Sequence, residues 1–286
     1  MNALRRRSLP TPRPYVVGLV VLGACHGSPP PTSKPAPATA PPPSASRPPA
    51  SAPGSVAITV TNGASLARAI HDRYAASAPR NVTFVQKTTV SLSSGSQIVQ
   101  TWYTAGELPG RWRVDTDQSA KNGTLYVGDS TYQFASGRLA KADTGINEIL
   151  SVAFDVFSQP AAKSESMLRR MGIDGTKMHE STWRGSVVYV VGAARGDTNT
   201  KQIWVERDRL IPVRLLEKTR QGHTDYRFSA FTQAGGQWVP GEIEQFVNGK
   251  RRLVEQLTQV RTNVSLPDAL FDPKRFAASA RWMPQP

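Results

Sequence analysis

The sequence predicts a mainly β protein with helices (α+β), built on one curved antiparallel sheet. Three observations carry that expectation. Apolar and polar residues alternate over a long series of short segments between residues 81 and 260, with turn signals about every ten residues. A capped helix precedes the series, and one helical interlude divides it. About eleven strands result, more than an open sheet holds without curling.

The elements follow in order. Asn62-Gly63-Ala64-Ser65 reads as a helix start, and "LARAIHDRYAASAP" places Leu66, Ile70 and Tyr74 on one face before Pro79 ends it. Strand patterns come next: "NVTFVQKTTVSL", "QIVQTWYT", "RWRVD", "TLYVG" and "TYQF". Leu108-Pro109-Gly110 separates two of them, either as an ordinary turn or as a protruding apolar loop. After the interlude the strands resume with "KMHESTW", "SVVYVVGA", "KQIWVERD", "IPVRLLEK", "DYRFSAFT", "WVPGEIEQFV" and "RRLVEQLTQV". Asp208-Arg209 is a turn, and Pro212, lacking an N–H, suits a strand start or edge. Pro267 and Pro273 bracket a short turn that tucks Leu270 and Phe271 inward.

The interlude runs from Gly145 to about Gly172 and breaks at Pro160. Wound as one helix, Ile146–Ser158 places Ile146, Ile149, Leu150, Val152, Ala153, Phe154, Val156 and Phe157 on an arc of about 200°. Asn147, Glu148, Ser151, Asp155 and Ser158 fill the rest. A surface helix needs an apolar stripe of only about 100°. The doubled arc fits a helix sunk into a concavity, and it fits a plain core helix on a curved sheet equally well.

The N-terminus has its own logic. Arg5, Arg6, Arg7 and Arg13 precede a ten-residue apolar run, Tyr15 to Ala24, and no acid occurs before residue 56. A basic region followed by a short apolar one is a secretory signal. It is too short for a spanning helix, which needs about 20 residues. The run ends in Leu22-Gly23-Ala24-Cys25, which resembles the lipobox of bacterial lipoproteins. That resemblance implies a signal peptide over 1–24 and a lipid on the Cys25 thiol, the chain's one cysteine. Residues 26–55 contain 11 prolines and no large apolar side chain. Such a stretch cannot bury enough surface to fold. Residues 25–55 thus read as a lipidated start and disordered tether, and 56–286 as the folded domain.

The formal net charge is +14; the domain keeps 29 basic against 21 acidic residues, a net of +8. On an exported chain this excess suits anionic envelope surfaces rather than nucleic acid. Its three histidines, His71, His179 and His223, stand apart without metal-ligand spacing. Gly128-Asp129-Ser130 suits a tight turn, and no nucleophile elbow or phosphate-binding loop occurs. No enzyme, metal or cofactor is expected.

The leading helix with "VTFVQ", then "ELPGRWRVD", "IWVERDRLIPVRL", "QWVPGEIE" and "NVSLPDALFDP", appear in an order that resembles the LolA/LolB-type lipoprotein carriers and receptors. The resemblance covers most of residues 64–273. It implies an incomplete antiparallel β-barrel with helices across its open side, an acyl-binding cavity and no catalysis. Alternation along the early strands offers Phe84, Trp102, Trp112, Val114, Leu125, Val127 and Phe134 as the cavity wall. Leu150, Phe154 and Phe157 are then the lid. The expected function is an envelope lipoprotein that binds an acyl chain or similar apolar ligand, in lipid or lipoprotein transfer. The expected partners are acyl chains, the membrane through Cys25, and a periplasmic protein. The alternative is a sensor or scaffold of the same fold that binds a protein without cargo. His26 stands where Asp would retain an enterobacterial lipoprotein at the inner membrane, so the outer membrane, facing the periplasm, is the expected location.

Overall fold

Asn62 starts the first element. Its side chain accepts from the Ser65 amide at 2.8 Å, and Ser65 Oγ accepts from the Asn62 amide at 3.0 Å. This reciprocal cap satisfies two amides that a helix start leaves open, and helix α1 (Gly63–Tyr74) follows. A computed structural model describes residues 59–220 and 222–279, all within the compact unit Ile58–Pro286. The expected signal peptide, the lipidation site Cys25 and the tether lie outside the described residues.

Fifteen strands are formed among the described residues. The first meander is β1 (Asn81–Ser91), β2 (Gln97–Glu107), β3 (Arg111–Asp115), β4 (Gly123–Val127), β5 (Ser130–Ala135) and β6 (Arg138–Thr144). Helix α2 (Glu148–Ala153), a 3₁₀ turn over Asp155–Phe157 and helix α3 (Ala161–Arg170) interrupt it. The second meander is β7 (Met178–Trp183), β8 (Ser186–Val191), β9 (Gln202–Glu206), β10 (Ile211–Thr219) and β11 (Gly222–Ser229). The small hairpin β12 (Thr232–Ala234) and β13 (Gln237–Val239) precedes β14 (Glu242–Val247) and β15 (Lys250–Thr262).

Thirteen of these form one antiparallel sheet, ordered β6-β5-β4-β3-β2-β1-β15-β14-β11-β10-β9-β8-β7. Its joint is the pairing of β1 with β15, which couples the two meanders through residues 173 positions apart in the pair Val85–Thr258. The sheet stays open, with β6 and β7 at its edges.

The strand number corrects the expected eleven. "RLAKADT" forms β6, exposed along its whole length, so it carries no burial pattern to read. "DYRFSAFT" and "WVPGEIEQFV" each divide in two, the latter at Pro240-Gly241. Pro212 is the second residue of β10 and sits at a register shift, where a missing N–H costs no ladder bond. Leu108-Pro109 is a turn whose Leu108 packs against the core, not a protruding loop.

The two sheet faces follow from register. Phe84 pairs with Thr104, Thr104 with Val114, and Val114 with Thr124. Paired residues share a face, so these mark the inner face, which the helices cover. The outer face of the first meander carries Leu125 and Phe134, covered by the C-terminal 3₁₀ turns Asp268–Phe271 and Pro273–Ala278. Leu270 and Phe271 are buried there, as the bracketing prolines predict. Across the second meander the outer face stacks Arg214 between Trp183 and Trp204, 4.2 and 4.6 Å from the ring centres. Asp225 holds that guanidinium with bonds of 2.8 and 2.9 Å.

Candidate functional site

The site begins with the insert between β6 and β7. Asn147 caps α2, its Oδ1 accepting from the amides of Ile149 and Leu150 at 3.1 Å each. The helix does not run to Ser158 as one piece. Phe154 adopts φ −135°, ψ −53°, and the chain continues as a 3₁₀ turn. This break turns Phe154 toward the inner face, where it is 0% exposed.

Its ring stacks on Phe84, with centres 5.2 Å apart and planes 12° from parallel. Trp112 meets it at 5.1 Å from the other side. Phe157 lies edge-on to Tyr74 of α1 at 5.0 Å. Such pairs add about 0.5–1.5 kcal/mol beyond area burial. Gly106 makes room for the indole: a Cβ there would lie 2.3 Å from the Trp112 ring. Leu150, Val152 and Val156 complete the buried side of the insert.

Ser151 and Asp155 stand on the polar side of the helical wheel. Both are buried. Asp155 Oδ1 accepts from the Gly110 amide at 3.0 Å and from Trp112 Nε1 at 3.2 Å, and its Oδ2 from Ser151 Oγ at 3.2 Å. The carboxylate thereby clips the insert to the β2–β3 turn. A cleft of about 80 Å³ opens beside it, bounded by Asn147, Trp112, Lys163 and Arg170 among others. The bonds are structural, and the cleft is far smaller than the ~300–1,000 Å³ of small-molecule sites.

Burial pushes the Asp155 carboxyl up to about 6, against the pull of its three donors and of Lys163. The unfolded chain, with an ordinary value of 3.8, holds fewer protons between these two values. The contribution is therefore fully present below the unfolded value. It is lost as pH rises through the folded one. The loss amounts to about 3 kcal/mol. Asp155→Asn is expected to remove this slope. Urea unfolding of both proteins from about pH 4 to 8 checks it, and parallel profiles would contradict it.

The expected site residues divide by register. Phe84, Trp102, Trp112 and Val114 lie on the inner face, with Leu150, Phe154 and Phe157 of the insert packed over it. Trp102 and Val114 are half-buried. Leu125, Val127 and Phe134 lie on the outer face: Leu125 pairs with Arg113 rather than with Trp112, and Phe134 stacks on Phe276 at 3.9 Å. They form a second small core, not the cavity wall. Alternation separates two faces without saying which is inward, and here both faces are covered.

Sequence reasoning also passed over the polar part of the inner face. Gln86, Thr88 and Glu255 point the same way as Phe84, since Thr88 pairs with Glu255 and Gln86 with Leu257. The readable signal is a lone Glu between Leu253 and Leu257 at strand spacing. His71 is likewise partly buried, with Nδ1 3.2 Å from the Gln159 carbonyl.

No protein-family model and no curated protein matches the sequence. Solved structures do match the fold. The chain is similar to an outer membrane lipoprotein-sorting protein domain from Vibrio parahaemolyticus, with TM-score 0.53 and 9% identity over 75% of this chain and 98% of that one. It is also similar to a DUF1329 family protein from Desulfovibrio piger, with TM-score 0.51 and 13% identity over 75% of this chain and 97% of that one. A LolA superfamily protein from Nitrosomonas europaea aligns at TM-score 0.46 and 13% identity, over 72% and 97%, and adds no weight. The open antiparallel sheet with helices over its inner face is thus a fold shared with that outer membrane lipoprotein-sorting protein domain, in line with the fold that the resemblance implies.

Proposed function

We propose that this chain is a lipid-anchored envelope protein that holds an acyl chain, or a similar apolar ligand, between the inner face and the insert. The observation that carries the reading is the seat of Phe154. An aromatic ring on a broken helix occupies the slot between Phe84 and Trp112. The cleft beside Asp155 is too small for a lipid tail, so in this reading the ligand takes the place of Phe154 and Phe157. Burying about 12 methylene groups is worth on the order of 10 kcal/mol. Displacing two aromatic rings offsets much of that, which leaves reversible binding suited to transfer. Co-purified lipid tests the reading: mass spectrometry of the native protein is expected to show acyl species. A protein free of them that also fails to bind a fluorescent fatty acid would overturn it.

The anchor rests on Leu22-Gly23-Ala24-Cys25. In this reading it holds the domain at the membrane through the proline-rich tether, and His26 after Cys25 favours the periplasmic side of the outer membrane. Cys25→Ser is expected to abolish labelling by a palmitate analogue in cells; equal label on both proteins would refute the anchor.

A further inference from the structure

The inner face changes character along β1. Phe84 meets the insert. Four residues on, roughly 13 Å along the strand, Thr88 faces the same way. Thr88 is 0% exposed, and its hydroxyl has no hydrogen-bond partner among the described residues. A buried hydroxyl left unpaired costs about 1–3 kcal/mol. Its neighbour across the ladder is Glu255 of β15. Glu255 is half-buried and has no salt bridge among the described residues. Beside them Gln86 pairs with Leu257 on one side and Trp102 on the other, so the Trp102 indole stands in the next row of the same face.

The wider surroundings are acidic. Glu148 of α2 and Glu217 of β10 share one cation, Lys201. Glu217, Glu148 and Glu255 together push the Tyr226 hydroxyl upward, behind the larger effect of burial. Burial pushes the Glu255 carboxyl up to about 7, and the hydrogen bond from Gln86 is what opposes it. A carboxylate, an unpaired hydroxyl and an indole on one sheet face are what a primary ammonium needs: charge, an acceptor and a cation–π surface.

We infer that Glu255, Thr88 and Trp102 form a headgroup site for a primary ammonium, at the end of the acyl slot that starts beneath Phe154. The inference rests on the acyl-binding reading and names the ligand class within it: an amphiphile with an apolar tail and an –NH₃⁺ head. The carboxylate supplies the counter-charge and Thr88 gains its missing partner. The domain's net positive charge makes the test stringent, since nonspecific attraction favours an anionic amphiphile.

Calorimetry of the full chain with dodecylamine, dodecanol and laurate at neutral pH decides the matter. Dodecylamine is expected to bind about tenfold tighter than either of the others. Glu255→Gln collapses that ratio toward one. Thr88→Val, which keeps the shape, lowers it about threefold. Equal affinities, or laurate binding tightest, would overturn the headgroup site while leaving the acyl slot standing. Binding of none of the three would remove the acyl reading and this inference with it. Lysophosphatidylethanolamine and a lipopeptide with a free α-amino group then tell a lipid headgroup from a peptide N-terminus, the tighter of the two naming the source.

Discussion

Asp115→Ala is expected to destabilise the domain by about 3–5 kcal/mol, the cost of stranding a buried charge. Arg113 and Asp115 are 1% and 0% exposed. Two bonds of 2.8 and 3.0 Å join them. The guanidinium also donates to the Phe276 carbonyl at 3.1 Å and lies 4.0 Å from the Phe276 ring centre. Without the carboxylate, Arg113 keeps its charge and loses its counter-ion. Domains have only about 5–15 kcal/mol in hand, so a large part of the stability is at stake. The double change Arg113→Met with Asp115→Leu is expected to recover most of it, because it removes both desolvation penalties. Urea unfolding measures both. A single variant within about 1 kcal/mol of the parent would show that the pair is not desolvated. The pair ties β3 to the C-terminal turns that cover the outer face of the first meander.

Phe154→Ala has the other large effect, in two directions at once. The ring is fully buried between Phe84 and Trp112, so truncation leaves a cavity and costs about 3–5 kcal/mol. Phe157→Ala, which opens a gap against Tyr74, is expected to cost a similar amount. If the insert is a plug, that same cavity is space a ligand tail need not clear. Fluorescent fatty acid is then expected to bind Phe154→Ala more tightly than the parent, even as the melting temperature falls. Affinity that drops together with stability would mean that the ring belongs to the wall of the bound state.

Much of the fold could be read from the sequence because its signals are local. Asn62 and Ser65 announce α1 through the groups their side chains can satisfy. The alternation of "RWRVD" and "TLYV" fixes strands whatever their partners. Three kinds of feature could not be read. β6 is an exposed edge strand with no apolar phase. The choice of face for Leu125 and Phe134 depends on Phe276, more than 140 residues away in the chain. The burial of Asp155 could not be read, because a wheel knows nothing of the Gly110 amide and the Trp112 indole that receive its carboxylate. The break at Phe154 was hidden for the same reason, since no glycine or proline marks it. Of the candidate site, the burial of Phe84, Trp112, Phe154 and Phe157 was legible and the polar part of the face was not. Glu255 and Thr88 draw their meaning from a strand pairing between opposite ends of the domain.

The central claim is that the insert gives up its seat to a ligand. Hydrogen exchange of the backbone amides, with and without a saturating fatty acid, tests it most directly. The account predicts faster exchange over residues 149–158 when ligand is bound, because the insert leaves Phe84, Trp112 and the Gly110 amide. α1 and β1 are expected to keep their protection. Bound ligand with unchanged or slower exchange over 149–158 would contradict the account: the insert would then be permanent core, and the ligand would lie elsewhere.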